Sequence, residues 1–407
     1  MRTFLFYCLF LSLTFPVAVE GQKLLELQKE LDQILRSHVD SGLIPGAVLQ
    51  VQHKGHIIYQ EAAGYATRFD LVGAELKKPE QLYRSNLYDI ASLTKVTGTT
   101  TAIMLLTDQG RLHPDDRVGR YIPAFNTADK KEITIRHLLT HTSGLYEWYP
   151  LYYRAGSKAA TYELIASLPL KYPVGKERHY SDLGFIILGQ IIETVSGLSL
   201  EEFERQFIFQ PLGMKQTLYT PVKNNYKGIV VPTSFGNPYE YRMVHDSSLG
   251  FVFKEINPDQ WNGWRTYLLR GEVNDGNCWY ACEGVNGAAG LFSTVNDLQL
   301  LVNMLLNKEE GGLISKRTRD LFLTKDSFSN GLGWMMDPSN SFMKNAPAGS
   351  FGHTGFTGTS ITVVPSMELS VILLVNRQQR GLLPSNEYYN LNPLRRRIFE
   401  TILNALK

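Results

Sequence analysis

Cysteine is scarce in this chain, and neither sign of charge is in marked excess. Three of the 407 residues are cysteine, and 41 Lys and Arg residues are balanced by 39 Asp and Glu residues, which leaves a net charge of +2. Proteins that bind nucleic acid need a basic surface for its phosphates, so no nucleic-acid partner is expected. The chain has no internal repeat and no low-complexity tract. With 43% hydrophobic residues, it can bury an ample core as a globular protein does.

A long apolar run opens the chain. Arg2 precedes an apolar stretch over residues 4–19, an order that is typical of a signal peptide. We predict a signal peptide over residues 1–21, cleaved before Gln22, and therefore an exported bacterial protein, periplasmic or secreted. A membrane anchor is the alternative, but the run is shorter than the ~20 residues that a spanning helix needs, and it contains Pro16. No stable membrane anchor is therefore expected.

Two cysteines lie beyond this leader, Cys278 and Cys282, while Cys8 lies within it. A C-x-x-x-C spacing without a second cysteine pair is a poor match to a zinc site. In an oxidising compartment the two thiols can form a local disulfide, although helical spacing would place their Cα atoms about 6 Å apart, near the upper end of usable geometry. A disulfide and a pair of buried thiols both stay open.

Strand patterns occupy both ends of the chain, and helical patterns occupy its middle. An amphipathic helix is predicted over residues 24–39, followed by a hairpin of residues 46–52 and 56–60. Near the other end, the patterns predict a second hairpin and a closing helix, over residues 360–364, 369–375 and 391–406. The helices predicted between these ends are residues 103–109, 135–139, 162–167, 183–195 and 200–207.

This arrangement indicates an α+β fold, because strands from both termini surround a helical middle. We predict one domain over residues 22–407, an antiparallel β-sheet flanked by helices. The sheet part comprises about 22–96 and 287–407, and a mostly helical region, about 97–286, is inserted into it. A cleft between the two parts is expected to hold the functional site.

Ser92 and Lys95 place a hydroxyl and an amine three residues apart at the start of an apolar helical stretch. On a helix this spacing puts the Cβ atoms only about 5–6 Å apart, so the amine can take the serine proton. Between residues 91 and 109 the charged side chains are Lys95 and Asp108. Burial and a helix N-terminus both lower the pKa of a lysine, so we expect a lowered pKa for Lys95. The alternative is a lysine that reaches solvent past the helix end.

A second motif, Tyr180-Ser181-Asp182, directly precedes an apolar helix that Asp182 is expected to cap. A tyrosine here can carry protons to and from a serine when an ammonium group stabilises it. The simpler alternative is a packing residue.

A third motif, His353-Thr354-Gly355, leads through Phe356 into a strand. Glycine in a strand often marks a close approach of a ligand to the backbone. The N–H groups of Phe356 and Ser92 are expected to form an oxyanion hole. The simpler alternative is a turn with a surface histidine.

The three motifs resemble those of the penicillin-recognising serine hydrolases, whose pattern is S-x-x-K, S-D-N and K-T-G. The tyrosine of the second motif points to the branch that contains class C β-lactamases, DD-peptidases and related esterases. Residues 137–145, 211–214 and 287–294 are similar to further segments of that branch. The resemblance covers nearly all of residues 24–407 and implies a β-lactamase/transpeptidase-like fold.

Two positions depart from the class C β-lactamase pattern. Asp182 stands where those enzymes usually have asparagine, and His353 stands where they have lysine. An acid in place of an amide removes a donor for a β-lactam side chain, and histidine is a weaker, pH-dependent cation for a substrate carboxylate. We therefore expect a DD-carboxypeptidase-like, D-aminopeptidase-like or esterase-like enzyme, with β-lactamase activity at a low level at most.

The motifs and the resemblance predict a serine hydrolase that forms a covalent acyl-enzyme on a peptide, amide or ester carbonyl, without a cofactor. Ser92 is expected to attack, with Lys95 and Tyr180 sharing the acid–base work. Asp182 and residues 353–356 are expected to support substrate binding. The expected partner is a small-molecule or peptide substrate, including peptidoglycan fragments. A catalytically weak penicillin-binding or sensor protein of the same fold is the alternative.

Three remaining patterns bear on rival functions. His137 and His141 have a spacing that can share a metal, but no Glu follows His137 and no third ligand is evident, so no metal site is predicted. The sequence lacks a Gly-x-Ser-x-Gly elbow, which leaves the α/β-hydrolase route unsupported. An aromatic cluster after His141 either lines the cleft or forms a hydrophobic cluster of its own; it consists of Tyr146, Trp148, Tyr149, Tyr152 and Tyr153.

Overall fold

The computed structural model describes residues 14–307 and 312–407, with side chains from residue 21 onward. The strands of the described residues are Gly46–His53 (β1), His56–Phe69 (β2), Glu75–Gln81 (β3), Tyr88–Asp89 (β4), Leu218–Tyr219 (β5), Leu291–Ser293 (β6), Phe351–Thr354 (β7), Ser360–Val364 (β8) and Leu369–Val375 (β9). The α-helices are Thr14–Asp40 (α1), Thr101–Asp108 (α2), Ile135–Leu139 (α3), Lys158–Ser167 (α4), Asp182–Ser196 (α5), Leu200–Glu204 (α6), Gln210–Leu212 (α7), Pro238–His245 (α8), Val295–Leu306 (α9), Lys316–Phe322 (α10) and Asn392–Leu406 (α11).

Six strands form one antiparallel sheet in the order β3-β2-β1-β9-β8-β7. Both predicted hairpins are confirmed, as β1–β2 and β8–β9, and they join where β1 pairs with β9, with Leu49 opposite Leu373. β2 continues beyond its predicted end and pairs with β3, a strand that the sequence did not predict. β3 is polar and contains Pro79, which an edge strand tolerates because one side of it needs no hydrogen-bond partner.

Hydrophobic clusters cover both faces of this sheet. Ala47, Leu49 and Val51 of β1 pack on one face in a cluster with side chains of α1 and α11. Val48 points to the other face and belongs to the main cluster, which extends into the helical part of the protein. α9 contacts β1 and β9. Because side chains alternate along β1, this strand contributes to both hydrophobic clusters. The predicted antiparallel sheet flanked by helices is confirmed.

The central region contributes helices α2 to α8, and its apolar helices α2 and α5 are buried in the main cluster. This region also contributes β5, which pairs with β6, and β6 pairs in turn with β4. The resulting three-stranded antiparallel sheet pairs the segment before Ser92, β4, with the segment before α9, β6. The residue boundaries of the sheet part and the helical part stay a prediction.

The N-terminal helix α1 begins at Thr14, ahead of the predicted start at residue 24. Residues 1–13, most of the predicted signal peptide, lie outside the described residues, and cleavage before Gln22 stays a prediction. Within the described residues no single helix combines the length and the apolar composition needed to cross a membrane. One pair of helices meets both requirements together, Asp182–Ser196 with Leu200–Leu212, and it is bent by 73°.

Cys278 and Cys282 are buried free thiols at a π-helical turn, Asn277–Ala281. Cys278 Sγ donates to the carbonyl oxygen of Ala289 at 3.3 Å. Burial raises the pKa of Cys282 to about 12. Of the two alternatives that the sequence left open, the structure shows the pair of buried thiols. Since the thiolate is the reactive form, both groups are poor nucleophiles in the folded protein.

Candidate active site

Ser92 lies in a 3₁₀ turn, Ala91–Leu93, that follows β4. Asp89 anchors this turn, since its Oδ1 accepts a hydrogen bond from the Ala91 N–H at 2.8 Å. Ala91 has a φ of 45°, a left-handed value that costs a residue with a Cβ roughly 1–2 kcal/mol. The serine is therefore held on a tight, anchored bend and not on the regular α-helix that the spacing predicted.

Lys95 is the first residue of a π-helical turn, Lys95–Thr100, and only 1% of it is exposed. Its Nζ donates to Ser92 Oγ at 3.0 Å and to the carbonyl oxygen of Ala288 at 2.9 Å. An ion pair of 2.7 Å joins the same nitrogen to Asp182 Oδ1. Two of the three ammonium donors are thus used in hydrogen bonds, and Asp182 supplies the opposite charge. The alternative of a lysine that reaches solvent is wrong.

The environment of Lys95 stabilises its charge. Burial disfavours the ammonium form, but the Asp182 carboxylate and the Tyr180 hydroxyl outweigh burial and raise the pKa of Lys95 above its usual value. The prediction of a lowered pKa is therefore wrong. It considered burial and the helix end, whereas the counterion that decides the sign lies far along the chain.

Tyr180 lies on the loop before α5, where its hydroxyl is close to Ser92 and Lys95. Lys95 Nζ is also 5.2 Å from the centre of the Tyr180 ring. Burial raises the pKa of Tyr180, and the opposing charge of Lys95 does not cancel this shift. The group beside the serine at neutral pH is therefore a protonated phenol.

Ser181 and His141 hold the tyrosine loop in place. The Ser181 N–H donates to His141 Nδ1 at 3.0 Å, and Ser181 Oγ accepts from the Gly184 N–H at 3.1 Å. Ser181 is thus the N-cap of α5, and the prediction that Asp182 caps this helix is wrong. The Asp182 carboxylate is consequently available to Lys95.

The third motif forms the end of β7 and the turn towards β8. Glycine is needed at position 355, because a Cβ there would lie 2.5 Å from the carbonyl oxygen of Ile90. This close approach brings Phe356 beside the turn that carries Ser92. The N–H groups of Ser92 and Phe356 donate to no acceptor among the described residues. Two unused donors on neighbouring turns fit the expected oxyanion hole.

His353 is buried behind the site and is uncharged. Its Nδ1 donates to the carbonyl oxygen of Thr354 at 2.8 Å, while Nε2 has no partner among the described residues. Burial, helped by the charge of Lys95, lowers the pKa of His353 to about 3. The imidazole packs near the Tyr180 ring, with 5.9 Å between the ring centres. The expectations of a pH-dependent cation and of a surface histidine are both wrong, because this position is fully enclosed.

Ser92 faces a cavity of about 540 Å³. Predicted site residues that line it are Ser92, Tyr180, Asp182, Thr354, Gly355 and Phe356. Lys95 and His353 stand behind this lining. The fold therefore brings the three motifs to one place, although they are separated widely in the chain.

Sequence analysis did not find Glu147, which pairs with Lys171, or four further charged residues of the cavity wall; these four are Glu240, Asp275, Arg377 and Arg395. Arg377 donates from Nε to the carbonyl oxygen of Phe356 at 3.0 Å, and Arg395 donates from Nη2 to that of Thr359 at 2.9 Å. Charged side chains are common along any chain, and no spacing connects these four. Only the fold could identify them.

Of the aromatic cluster after His141, one part lines the cavity and another part forms a separate hydrophobic cluster. Trp148 lines the cavity. Tyr152 is buried in a separate aromatic group, 4.6 Å from the ring of Trp261 and 5.2 Å from that of Tyr280. The cluster therefore supplies one wall residue and otherwise supports the wall from behind.

His137 and His141 are occupied by contacts within the protein. His137 Nδ1 accepts from the Thr134 N–H at 3.1 Å and completes the cap of α3, while His141 accepts from Ser181. Across residues 14–307 and 312–407, no group of three or more His, Cys, Asp or Glu side chains is placed to hold a metal ion.

A sequence model of the family described as Beta-lactamase matches residues 31–392. The chain belongs to the Beta-lactamase family. It is accordingly a β-lactamase-related serine hydrolase, as the motifs predicted.

Relatives in the Beta-lactamase family carry the names of different enzymes. The chain is 31% identical over 388 residues to the N-acetylmuramyl-L-alanine amidase of Bacillus subtilis (strain 168), covering 89% of this chain and 84% of that protein. It is 31% identical over 376 residues to a protein of Escherichia coli (strain K12) with the provisional name D-alanyl-D-alanine carboxypeptidase, covering 86% and 82%. Among solved structures, EstCE1, a hydrolase with promiscuous acyltransferase activity, superposes with a TM-score of 0.66 at 22% identity, covering 94% and 99%.

Proposed function

We propose that the protein hydrolyses a peptide, amide or ester bond through an acyl-enzyme on Ser92. The observation that carries this proposal is the contact of Ser92 Oγ with Lys95 Nζ at 3.0 Å, next to the Tyr180 hydroxyl and at the wall of a cavity. A serine needs an adjacent group that takes its proton before it can attack a carbonyl. The Tyr180 hydroxyl can take that proton when it passes its own proton on, and the Lys95 ammonium group supplies positive charge beside it.

The proton route follows from the protonation states of these neighbours. As Ser92 Oγ attacks the carbonyl carbon, its proton passes to the Tyr180 oxygen while the Tyr180 proton passes to the leaving nitrogen or oxygen, and the bond from the carbonyl carbon to that leaving atom breaks. The Lys95 ammonium group, held by Asp182, stabilises the negative charge that develops on the serine and tyrosine oxygens. The amides of Ser92 and Phe356 receive the carbonyl oxyanion. A water molecule then attacks the acyl carbon and gives a proton to the Tyr180 oxygen, the Tyr180 proton passes to Ser92 Oγ, and the bond between the acyl carbon and that oxygen breaks.

The substrate is proposed to be a peptidoglycan fragment or a related small peptide or ester, handled in an exported, periplasmic or secreted location. The names of the two curated relatives support this class. Because His353 is neutral and enclosed, a substrate carboxylate would be met by Arg377 or Arg395 of the cavity wall. A penicillin-binding sensor with slow turnover is the second candidate, favoured by the ion pair that keeps Lys95 charged.

Covalent labelling tests the proposal. A fluorescent penicillin and a fluorophosphonate are expected to label the purified wild-type protein, and Ser92→Ala is expected to abolish labelling. Ser167→Ala is a matched control, since this serine lies at the end of α4 and donates to the carbonyl oxygen of Leu164. Undiminished labelling of Ser92→Ala would contradict the proposal. Turnover of p-nitrophenyl esters, D-Ala-D-Ala peptides and nitrocefin then separates an enzyme from a sensor, which is labelled without turnover.

A further inference from the structure

The two amides of the expected oxyanion hole lie on separate turns that are far apart in the sequence. Ser92 follows β4, whereas Phe356 lies in the turn between β7 and β8. Two donors stabilise one oxyanion well only when the distance between them is fixed before the reaction. Both N–H groups are left unused among the described residues, so other groups must set their spacing.

The turn that carries Phe356 is closed on itself. The Gly358 N–H donates to the carbonyl oxygen of Gly355 at 3.0 Å, and the Gly355 N–H donates to that of Thr359 at 2.8 Å. Gly358 has a φ of 124°, which glycine adopts without strain because it has no Cβ. A contact that holds one residue of this turn therefore also holds the Phe356 amide.

Two threonine hydroxyls join this turn to the end of β4. Thr357 Oγ1 donates to the carbonyl oxygen of Asp89 at 2.8 Å, and Thr359 Oγ1 donates to that of Ile90 at 3.1 Å. Both threonines are buried. Because Asp89 and Ile90 directly precede the turn that carries Ser92, these two bonds connect the two turns.

The Asp89 side chain holds the serine turn as well. Its Oδ1 accepts from the Ala91 N–H at 2.8 Å, and its Oδ2 accepts from the Asn274 N–H at 2.7 Å. Burial raises the pKa of Asp89 to about 6, so at neutral pH the group is mainly a carboxylate with an acceptor on each oxygen. Ala91 has a strained, positive φ of 45°, which this contact helps to maintain. Asp89 is thus bound to both turns and, through Asn274, to the cavity wall.

We propose that Asp89 and Thr357 are positioning residues that fix the distance between the two amides of the oxyanion hole. Neither side chain lines the cavity, so both act through these amides and not on the substrate. Loss of the Thr357 hydroxyl leaves the Phe356 N–H in place but frees the turn that carries it. This inference rests on the proposed function and adds the residues that set the geometry of its oxyanion hole.

Thr357→Val tests the proposal, because valine keeps the β-branched shape and removes the hydroxyl. A displacement of about 1 Å can cost roughly 10²-fold in rate, so kcat for p-nitrophenyl acetate is expected to fall about 10- to 100-fold with little change in KM. Thr357→Ser keeps the hydroxyl and is expected to restore most of the rate. Thr362→Val is the matched control, since Thr362 Oγ1 donates to the carbonyl oxygen of Phe342 at 2.7 Å, away from the cavity lining, and it is expected to keep the wild-type kcat.

The thiono analogue of the same ester separates oxyanion geometry from a general loss of folded enzyme. Sulfur is a larger atom and a weaker acceptor than oxygen, so the thionoester gains little from the two amides. The wild-type protein is expected to prefer the oxygen ester, and Thr357→Val is expected to lose most of this preference. Asp89→Asn replaces one acceptor oxygen by an NH₂ group and is expected to act in the same direction, whereas Thr362→Val keeps the preference.

The outcomes distinguish this inference from the proposed function. If the wild-type protein is active and Thr357→Val matches Thr362→Val in rate and in preference for the oxygen ester, the positioning role is overturned and the proposed function stands. A lower rate with an unchanged preference would also overturn it, since that result indicates a general structural effect. A wild-type protein that neither hydrolyses the ester nor is labelled at Ser92 would overturn both.

A protein that is labelled without turnover is tested by the rate of fluorophosphonate labelling, because the phosphoryl oxygen occupies the oxyanion hole in the same way. Thr357→Val is then expected to be labelled about 10- to 100-fold more slowly than Thr362→Val. Equal labelling rates would overturn the positioning role. Thermal melting of each variant confirms that it is folded.

Discussion

The Lys95 ammonium group lies 2.7 Å from the Asp182 carboxylate while it donates to Ser92 Oγ at 3.0 Å. A buried lysine alone would tend to lose its proton and act as a base. Paired with a carboxylate, it keeps the proton and acts through its charge. We therefore expect the single acid in the second motif to decide which of the two neighbours of Ser92 moves protons, and to leave that work to Tyr180.

The pH dependence of Asp182→Asn tests this assignment. Removing the carboxylate takes away the strongest influence that opposes burial, so the pKa of Lys95 is expected to fall. If the ammonium form is required, the alkaline, descending limb of the acylation rate moves to lower pH with it. The rate of labelling by a fluorescent penicillin is measured from pH 6 to 11, and the pH at which this rate falls gives the position of the descending limb.

Asp320→Asn serves as the control for this change, because Asp320 pairs with Lys316 on the exposed face of α10. Its pH profile is expected to match that of the wild-type protein. A shift of the ascending limb in Asp182→Asn would contradict the assignment, since it would mean that neutral Lys95 is the base.

Tyr180→Phe tests the proton relay. The change removes the hydroxyl beside Ser92 and keeps the ring that packs 4.4 Å from His141. We expect kcat/KM to fall by roughly 10²–10⁴-fold, as for loss of a general acid–base group, with little change in thermal stability. Tyr121→Phe removes a hydroxyl that donates to Asp116 at 2.6 Å, remote from the cavity, and is expected to keep full activity. A Tyr180→Phe variant as active as Tyr121→Phe would exclude the relay.

Local pattern was sufficient to predict much of this architecture. The alternation of residues 46–52 and 360–375 predicted two hairpins, and the S-x-x-K spacing predicted a contact that the structure confirms at 3.0 Å. The helix type around that contact was not predictable, because hydrophobic periodicity does not distinguish 3₁₀ and π-helical turns from an α-helix over six residues. β3 was missed for a similar reason, since an edge strand needs no apolar alternation.

Long-range contacts explain what local pattern could not supply. The sign of the pKa shift of Lys95 depends on Asp182, which the loop before α5 delivers only in the folded chain. The enclosure of His353 likewise depends on packing by distant elements. Glu240 and Asp275 carry no motif at all, and their position in the cavity wall is known only from the fold.

Acid denaturation tests the burial of His353. In the unfolded chain its pKa is about 6.5, whereas the folded value is about 3, so the folded state resists the proton. The contribution of His353 to the free energy of unfolding is therefore largest above pH 6.5. It declines as the pH falls towards 3, by at most about 1.4 kcal/mol per pH unit. Asp89 acts in the opposite direction, because its pKa is raised to about 6, mainly by burial. Urea denaturation at pH 6.5, 5.5 and 4.5 gives the free energy of unfolding of the wild-type protein and of His353→Asn. The difference between the two proteins at each pH is the contribution of the histidine, because Asp89 is present in both. We expect the variant to lose less stability over this range, and parallel curves would contradict a neutral buried His353.

The last prediction concerns the packing under the Ser92–Lys95 turn. A Cβ at Gly98 would lie 2.6 Å from Glu204 Cδ, and the Glu204 carboxyl group cannot retreat freely because it is fully buried and accepts from the Tyr219 hydroxyl at 3.1 Å. Gly98→Ala is therefore expected to lower the free energy of unfolding by about 1–3 kcal/mol, the usual cost of overpacking. Because Gly98 shares a π-helical turn with Lys95, a displacement of this turn should also lower the rate of Ser92 labelling.

Gly184→Ala is the matched control. The nearest neighbour of its Cβ would be the carbonyl oxygen of Leu138 at 3.6 Å, which is an ordinary contact. Because alanine has a higher helix propensity than glycine, this variant should be as stable as the wild-type protein or more stable. If both variants unfold at the same urea concentration, the close packing of Glu204 on the catalytic turn is refuted.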